Sequence, residues 1–185
     1  MRVILLTLFI TVFSGCASHS SIIQSQLGFN DDTVFTSPRL VMNSEVFFNT
    51  NSFNLGALWH KSLEDKVIIV VKLNEGSLQD YTEILGLEFS VKDSEIKLSE
   101  YKSKTFHESA FGKSFNLLGG GGSFSFKAYY MKMNDLRNIL KYSDTVKVKL
   151  STSSRGIAVG DFKKDFYGSA LRGLTSFMSK VDASL

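Results

Sequence analysis

Val67 to Leu73 reads Val-Ile-Ile-Val-Val-Lys-Leu, the most restrictive stretch in the chain. A β-branched run of this kind is stiff at χ1 and packs best on a pleated surface. It is bounded by the polar groups Glu64-Asp65-Lys66 and Asn74-Glu75-Gly76. These signals predict a strand with both faces covered, which places it at the centre of a sheet.

The surrounding sequence extends the same reading. Leu87, Phe89 and Val91 alternate with polar residues, Asp93-Ser94 turns the chain, and Ile96 and Leu98 resume the alternation. This predicts a hairpin with one face in a core. Further strands are expected at Val46–Phe48, at Leu55–Trp59, through Phe124, Phe126, Ala128 and Tyr130, and at Val146–Leu150. Ser151 to Gly156 reads as a turn with an antiparallel return through Ile157 to Phe162. The four glycines 119–122 are too costly to order in a regular element and read as a loop.

Two segments switch to helical spacing. Asn134 offers an N-cap for a short helix near 134–142, with Leu136, Ile139 and Leu140 on one side. Phe166, Ala170, Leu174, Phe177, Met178 and Val181 form an apolar stripe over about 165–182. Asp165 is the expected cap of this second helix. Gly168 and Gly173 would weaken it by ~1 kcal/mol each relative to Ala. The fold class expected is mainly β: an antiparallel β-sandwich or curved sheet with these two helices as decoration.

The N-terminus has a different character. Arg2 is followed by the apolar run Val3–Phe13, then Phe13-Ser14-Gly15-Cys16, which holds the only cysteine among 185 residues. A positive start, a short apolar run and small residues before a cleavage point describe a secretory signal. With its cysteine, the stretch resembles the signal of bacterial lipoproteins. That resemblance implies lipidation (palmitate) at Cys16 as the first mature residue. With Ala17 after the cysteine, it implies delivery to the outer membrane of the cell envelope. The organisation expected is therefore a signal over 1–16, a polar tether over 17–38 and one β-rich domain over 39–185. If flexible, a tether of that length spans roughly 25 Å root-mean-square.

Charge and motifs narrow the functional classes. Without Arg2 there are 20 basic and 18 acidic side chains, too even a balance to argue for nucleic acid. Gly112-Lys113-Ser114 lacks the earlier glycine of a phosphate loop, since His107 stands there. No Gly-x-Ser-x-Gly elbow and no His-Glu-x-x-His are present. No catalytic residue, metal or cofactor is assigned. The leading reading is a lipid-anchored, non-enzymatic binding, adaptor or accessory module with an envelope protein as partner. The alternative is an envelope hydrolase or metal-dependent enzyme using His60 or His107, each of which has acidic neighbours. Candidate contact residues are Trp59, the only tryptophan, and the adjacent Tyr129 and Tyr130, one of which must face away from a core.

Overall fold

The structure is a computed structural model, and it describes residues 27–28, 33–43, 53–76, 81–92, 94–108, 123–162 and 168–185. The chain divides into a unit of residues 1–33 and a unit of residues 34–185. The architecture below is that of the second. Residues 1–26, 44–52 and 109–122 lie outside the description. With them, and with residues 163–167, go the expectations for the Cys16 signal, the strand at Val46–Phe48, the Gly112-Lys113-Ser114 turn, the glycine loop, the Asp165 cap and Phe166 of the apolar stripe.

Strands β1 (Val34–Asn43), β2 (Phe53–Trp59), β3 (Lys66–Gly76), β4 (Ile84–Val91), β5 (Ser94–Lys97), β6 (Ser99–Glu100), β7 (Phe106–Glu108), β8 (Ser123–Lys132), β9 (Lys147–Thr152) and β10 (Gly156–Asp161) alternate with two helices. These are α1 (Met133–Lys141) and α2 (Ala170–Asp182). The strands follow the order β5-β4-β9-β10-β1-β2-β3-β8-β6, with β7 also on β8, and every strand pairing is antiparallel. β1 pairs with β2 from Val34 to Val41 and with β10 through Met42 and Asn43. It therefore joins two sheets, one of β1, β2, β3, β8, β6 and β7, the other of β4, β5, β9 and β10.

β3 is the expected central strand. It pairs with β2 on one side and β8 on the other, and Val67, Ile68, Ile69, Val70 and Val71 are all fully buried. Its residues divide by parity. Val67, Ile69, Val71 and Leu73 join the main core with Phe53, Leu55, Phe89, Val148 and Leu150. Ile68 and Val70 share the opposite face with Leu58, Phe124, Phe126 and Ala128, which are also buried but outside that core. The β4–β5 hairpin closes as expected, with Phe89 opposite Ile96 and Val91 opposite Ser94. β9 and β10 form the expected antiparallel return across residues 153–155.

The boundaries differ from the sequence expectation in three places. β1 begins at Val34, so the stretch from Val34 to Pro38 assigned to a tether is part of a strand. Proline fits there because a bulge interrupts the register between Thr36 and Arg39, where a ladder donor is dispensable. α1 starts at Met133 with Lys132 as N-cap and no side-chain cap, so Asn134 is inside the helix. β8 runs straight into α1, and Met133 N–H bonds to Asp65 O at 2.7 Å. α2 starts at Ala170, capped by Ser169, whose hydroxyl accepts from Arg172 N–H at 3.3 Å. Its Ala170, Leu174, Phe177, Met178 and Val181 are buried and complete the main core.

Candidate functional site

The inward face of β3 and β8 changes chemistry along its length. From Val67 and Met131, through Ile69 and Tyr129, the paired residues are large and mainly apolar. Further along, Lys127 stands opposite Val71 and Ser125 opposite Leu73, and Glu75 continues the same parity on β3. A register shift between Asn74 and Gly76 puts Glu75 in an irregular position, where a bulge can re-aim a side chain. Glu75, Ser125 and Lys127 are all at least 97% buried.

Such groups are tolerated inside a sandwich only when their bonding is complete. Glu75 Oε1 accepts from Thr82 N–H at 2.9 Å and from the Ser125 hydroxyl at 2.5 Å. Its Oε2 accepts from the Thr82 hydroxyl at 3.1 Å and from an Arg155 Nη2 that forms an ion pair with it. Arg155 Nη1 donates to Asn74 O at 3.1 Å, and Ser154 Oγ lies 2.9 Å from Thr82 Oγ1. A carboxylate and a guanidinium lose several kcal/mol of hydration each on burial, and four donors on one carboxylate are what offset that cost. The cluster ties β3 and β8 of one sheet to the β9–β10 turn and the segment before β4 in the other.

A second tie lies beside it. Lys127 Nζ donates to Glu100 Oε1 at 2.6 Å and to Ile84 O at 3.1 Å. Ile84 N–H donates to Thr105 Oγ1 at 3.1 Å. Ile84 sits at the register shift in the β4–β9 ladder, so side chains satisfy its backbone groups there.

His107 reaches this cluster from β7. Its Nδ1 lies 2.8 Å from Ser125 Oγ, while the residue itself is exposed. Counting protons assigns the roles. The serine has one hydroxyl proton, and it goes to the Glu75 carboxylate. Nδ1 must then carry the imidazole proton and donate to Ser125 Oγ. In a nucleophilic triad the histidine lies between serine and carboxylate and takes the serine proton. Here the serine lies between the other two.

The remaining sequence candidates fall elsewhere. His60 caps the short 3₁₀ turn Lys61–Leu63, where its Nδ1 accepts from Ser62 N–H at 3.2 Å and stands 2.8 Å from Ser62 Oγ. It precedes the start of β3, whereas His107 joins β8 at Ser125, opposite Leu73. At ~3.3 Å per residue the two histidines are separated by about 20 Å of strand. The structure does not bring them together. Trp59 is 2% exposed and donates Nε1–H to Glu64 O at 3.3 Å, so the indole belongs to the core and offers no surface to a partner. Tyr129 is buried as well, and its hydroxyl has no hydrogen-bond partner. Burial, and after it the charge of Glu100, pushes the Tyr129 pKa above the usual tyrosine value. Tyr130 is the half-exposed member of the pair, edge-on to Tyr101 at 5.1 Å and with Lys66 Nζ 5.6 Å from its ring centre.

Among the described residues, no three His, Cys, Asp or Glu side chains are grouped to hold a metal ion. No helix among them is long and apolar enough to cross a membrane. An open groove of ≈ 450 Å³ between α1 and α2 is lined by Leu140, Leu171 and Arg172 with Ser143, Thr175, Ser176 and Ser179, and none of the Glu75 cluster lines it. Comparison with protein-family models, curated proteins and solved structures finds no match.

Sequence reasoning passed over Glu75, Ser125 and Arg155. One signal was present: Glu75 is in phase with the apolar face of β3, and a charge in that phase must find partners inside. Its partners are 7, 50 and 80 residues away in the chain, a separation that no local pattern encodes.

Proposed function

We propose that this protein is a lipid-anchored module of the bacterial cell envelope, held at the outer membrane through Cys16, which works by binding a partner and not by catalysis. The anchor rests on the signal-like stretch ending at Phe13-Ser14-Gly15-Cys16. The observation that favours binding over hydrolysis is the direction of the bonds through Ser125. Its proton is committed to Glu75, its oxygen is fully buried, and the adjacent imidazole donates to it. A serine held in this way is a brace between two sheets, since a nucleophile must give its proton to a base and reach a substrate. Tyr130, half-exposed on β8, remains the outward aromatic for an envelope protein partner.

Two measurements on the full-length protein test the proposal. Cells expressing the wild type should incorporate labelled palmitate and yield the protein in the outer-membrane fraction. Cys16→Ser should do neither while keeping its circular dichroism spectrum. A fluorophosphonate probe for activated serines should leave Ser125 unmodified. Palmitate retained in Cys16→Ser overturns the anchor, and stoichiometric labelling of Ser125 overturns the binding reading.

A further inference from the structure

The fully bonded Glu75 cluster has a consequence at the surface. Arg155 fixes the Glu75 carboxylate, Glu75 takes the Ser125 proton, and Ser125 takes the proton on His107 Nδ1. The imidazole is thus held in the Nδ1–H tautomer by the buried Ser125 and Glu75, with the partly exposed Arg155 behind them. Its Nε2, at the far side of the ring, is left as a lone-pair acceptor on an exposed residue. Tyr81 lies against the same ring, with centroids 4.6 Å apart and planes tilted by 37°. Tyr81 is 39% exposed, one of few large apolar side chains to be so among the described residues. An acceptor with a fixed tautomer beside an open aromatic ring is a preorganised contact, because little rotamer or tautomer freedom is left to lose on binding.

The chemistry of this pair selects its ligand. In the Nδ1–H tautomer the Nε2 lone pair takes a hydrogen-bond donor. Both Nη atoms of nearby Arg155 already bond to Glu75 and Asn74 O. A metal ion would need further ligands, and no such group exists among the described residues. A donor that also carries an apolar face to lie on Tyr81 is a sugar ring, with hydroxyls at its rim and C–H groups on its faces. We propose that His107 and Tyr81 form a saccharide-binding site, in which Nε2 accepts from a ring hydroxyl and the tyrosine stacks on the sugar. Ser125 and Glu75 act as positioning residues. The inference rests on the binding reading, to which it adds a ligand class and a place on the fold.

The test has two stages, both on the full-length protein in detergent micelles. Long-range ¹⁵N–¹H correlation spectra of the imidazoles at pH 8 report the tautomer directly. His107 should show the Nδ1–H pattern, lost in Ser125→Ala, and an Nε2–H pattern overturns the proposal. Titration with neutral oligosaccharides, namely β-1,4-linked N-acetylglucosamine and α-1,4-linked glucose oligomers, should then perturb the His107 and Tyr81 resonances. His107→Phe keeps a ring and removes Nε2, and it should weaken that binding at least tenfold with the spectrum otherwise native. Tyr81→Ala should do the same from the stacking side. No perturbation by either series, an undiminished affinity in His107→Phe, or perturbation by an extended peptide alone overturns the site. A silent titration with Ser125 unlabelled by the fluorophosphonate defeats this site alone, whereas a labelled Ser125 defeats the binding reading beneath it.

Discussion

Among the buried side chains, Tyr129 and Glu75 show opposite solutions to the same problem. Glu75 is saturated by four donors, but the Tyr129 hydroxyl is buried with none. An unsatisfied buried hydroxyl costs about 1–3 kcal/mol, so its removal should help where the loss of a bonded group would hurt. Tyr129→Phe is therefore expected to stabilise the domain by about 1 kcal/mol at neutral pH, read as a shift of the urea midpoint at unchanged slope. The same residue makes an alkaline prediction. Burial raises the folded-state pKa of Tyr129 above its unfolded value of roughly 10. Only the unfolded chain ionises there as pH climbs past 10, so the stability present below that pH is lost above it. Tyr129→Phe should make that alkaline loss shallower. A lower midpoint in the variant would mean that the hydroxyl is bonded after all.

Elements show where glycine serves packing and where it only loosens a helix. A Cβ on Gly56 in β2 would meet the backbone O of Thr36 at 2.6 Å and N of Pro38 at 2.9 Å, at the β1 bulge. Neither atom can move without shifting the strand. A Cβ on Gly173 in α2 would meet Arg39 Cδ at 2.7 Å, part of a side chain that can swing aside. Helix propensity then returns up to ~1 kcal/mol to Gly173→Ala, whereas Gly56→Ala is overpacking, with a cost of about 1–3 kcal/mol. Thermal melts should separate the two, with Gly56→Ala clearly lower and Gly173→Ala within about 1 kcal/mol of wild type. Equal losses would place α2 as tightly against β1 as β1 lies on β2. This pair also marks what the sequence could reveal at this scale. The β-branched run made β3 legible, and period two made the β4–β5 and β9–β10 hairpins legible. The cap of α1 was not, because the helix grows out of β8 with its first donor bonded to Asp65. Pro38 reads as the entry to the folded part because it biases Ser37 to an extended conformation, and the bulge that accepts it within β1 is a tertiary feature. His107 could be picked out as a candidate, but the tautomer that distinguishes it is set by residues distant in sequence.

At the scale of the molecule, the decisive contact is between α2 and strands β1 and β2. α2 brings Leu174, Phe177, Met178 and Val181 into the same core as Leu55, Ile69, Phe89 and Val148, and it packs chiefly against β1 and β2. Each of those four side chains is worth about 1.5–3 kcal/mol when fully buried, or roughly 6–12 kcal/mol together. Whole-domain stabilities run at about 5–15 kcal/mol, so the loss of α2 consumes most or all of the margin. The cation–carboxylate ties at Glu75 and Lys127, each with one buried and one more exposed partner, cannot make up the difference, because the gain is largely offset by desolvation of the buried member. They fix how the sheets meet, and the helix supplies much of the burial that stabilises the core. A chain ending at Gly168 should therefore accumulate in the insoluble fraction or, if recovered, show no cooperative melt and bind a hydrophobic dye. The polar cluster would remain in that chain, and so would every described strand. Were the truncated protein monomeric, with a cooperative transition near that of the full chain, the sandwich would be self-sufficient. The apolar face of α2 would then have to be read as a contact with something other than its own core.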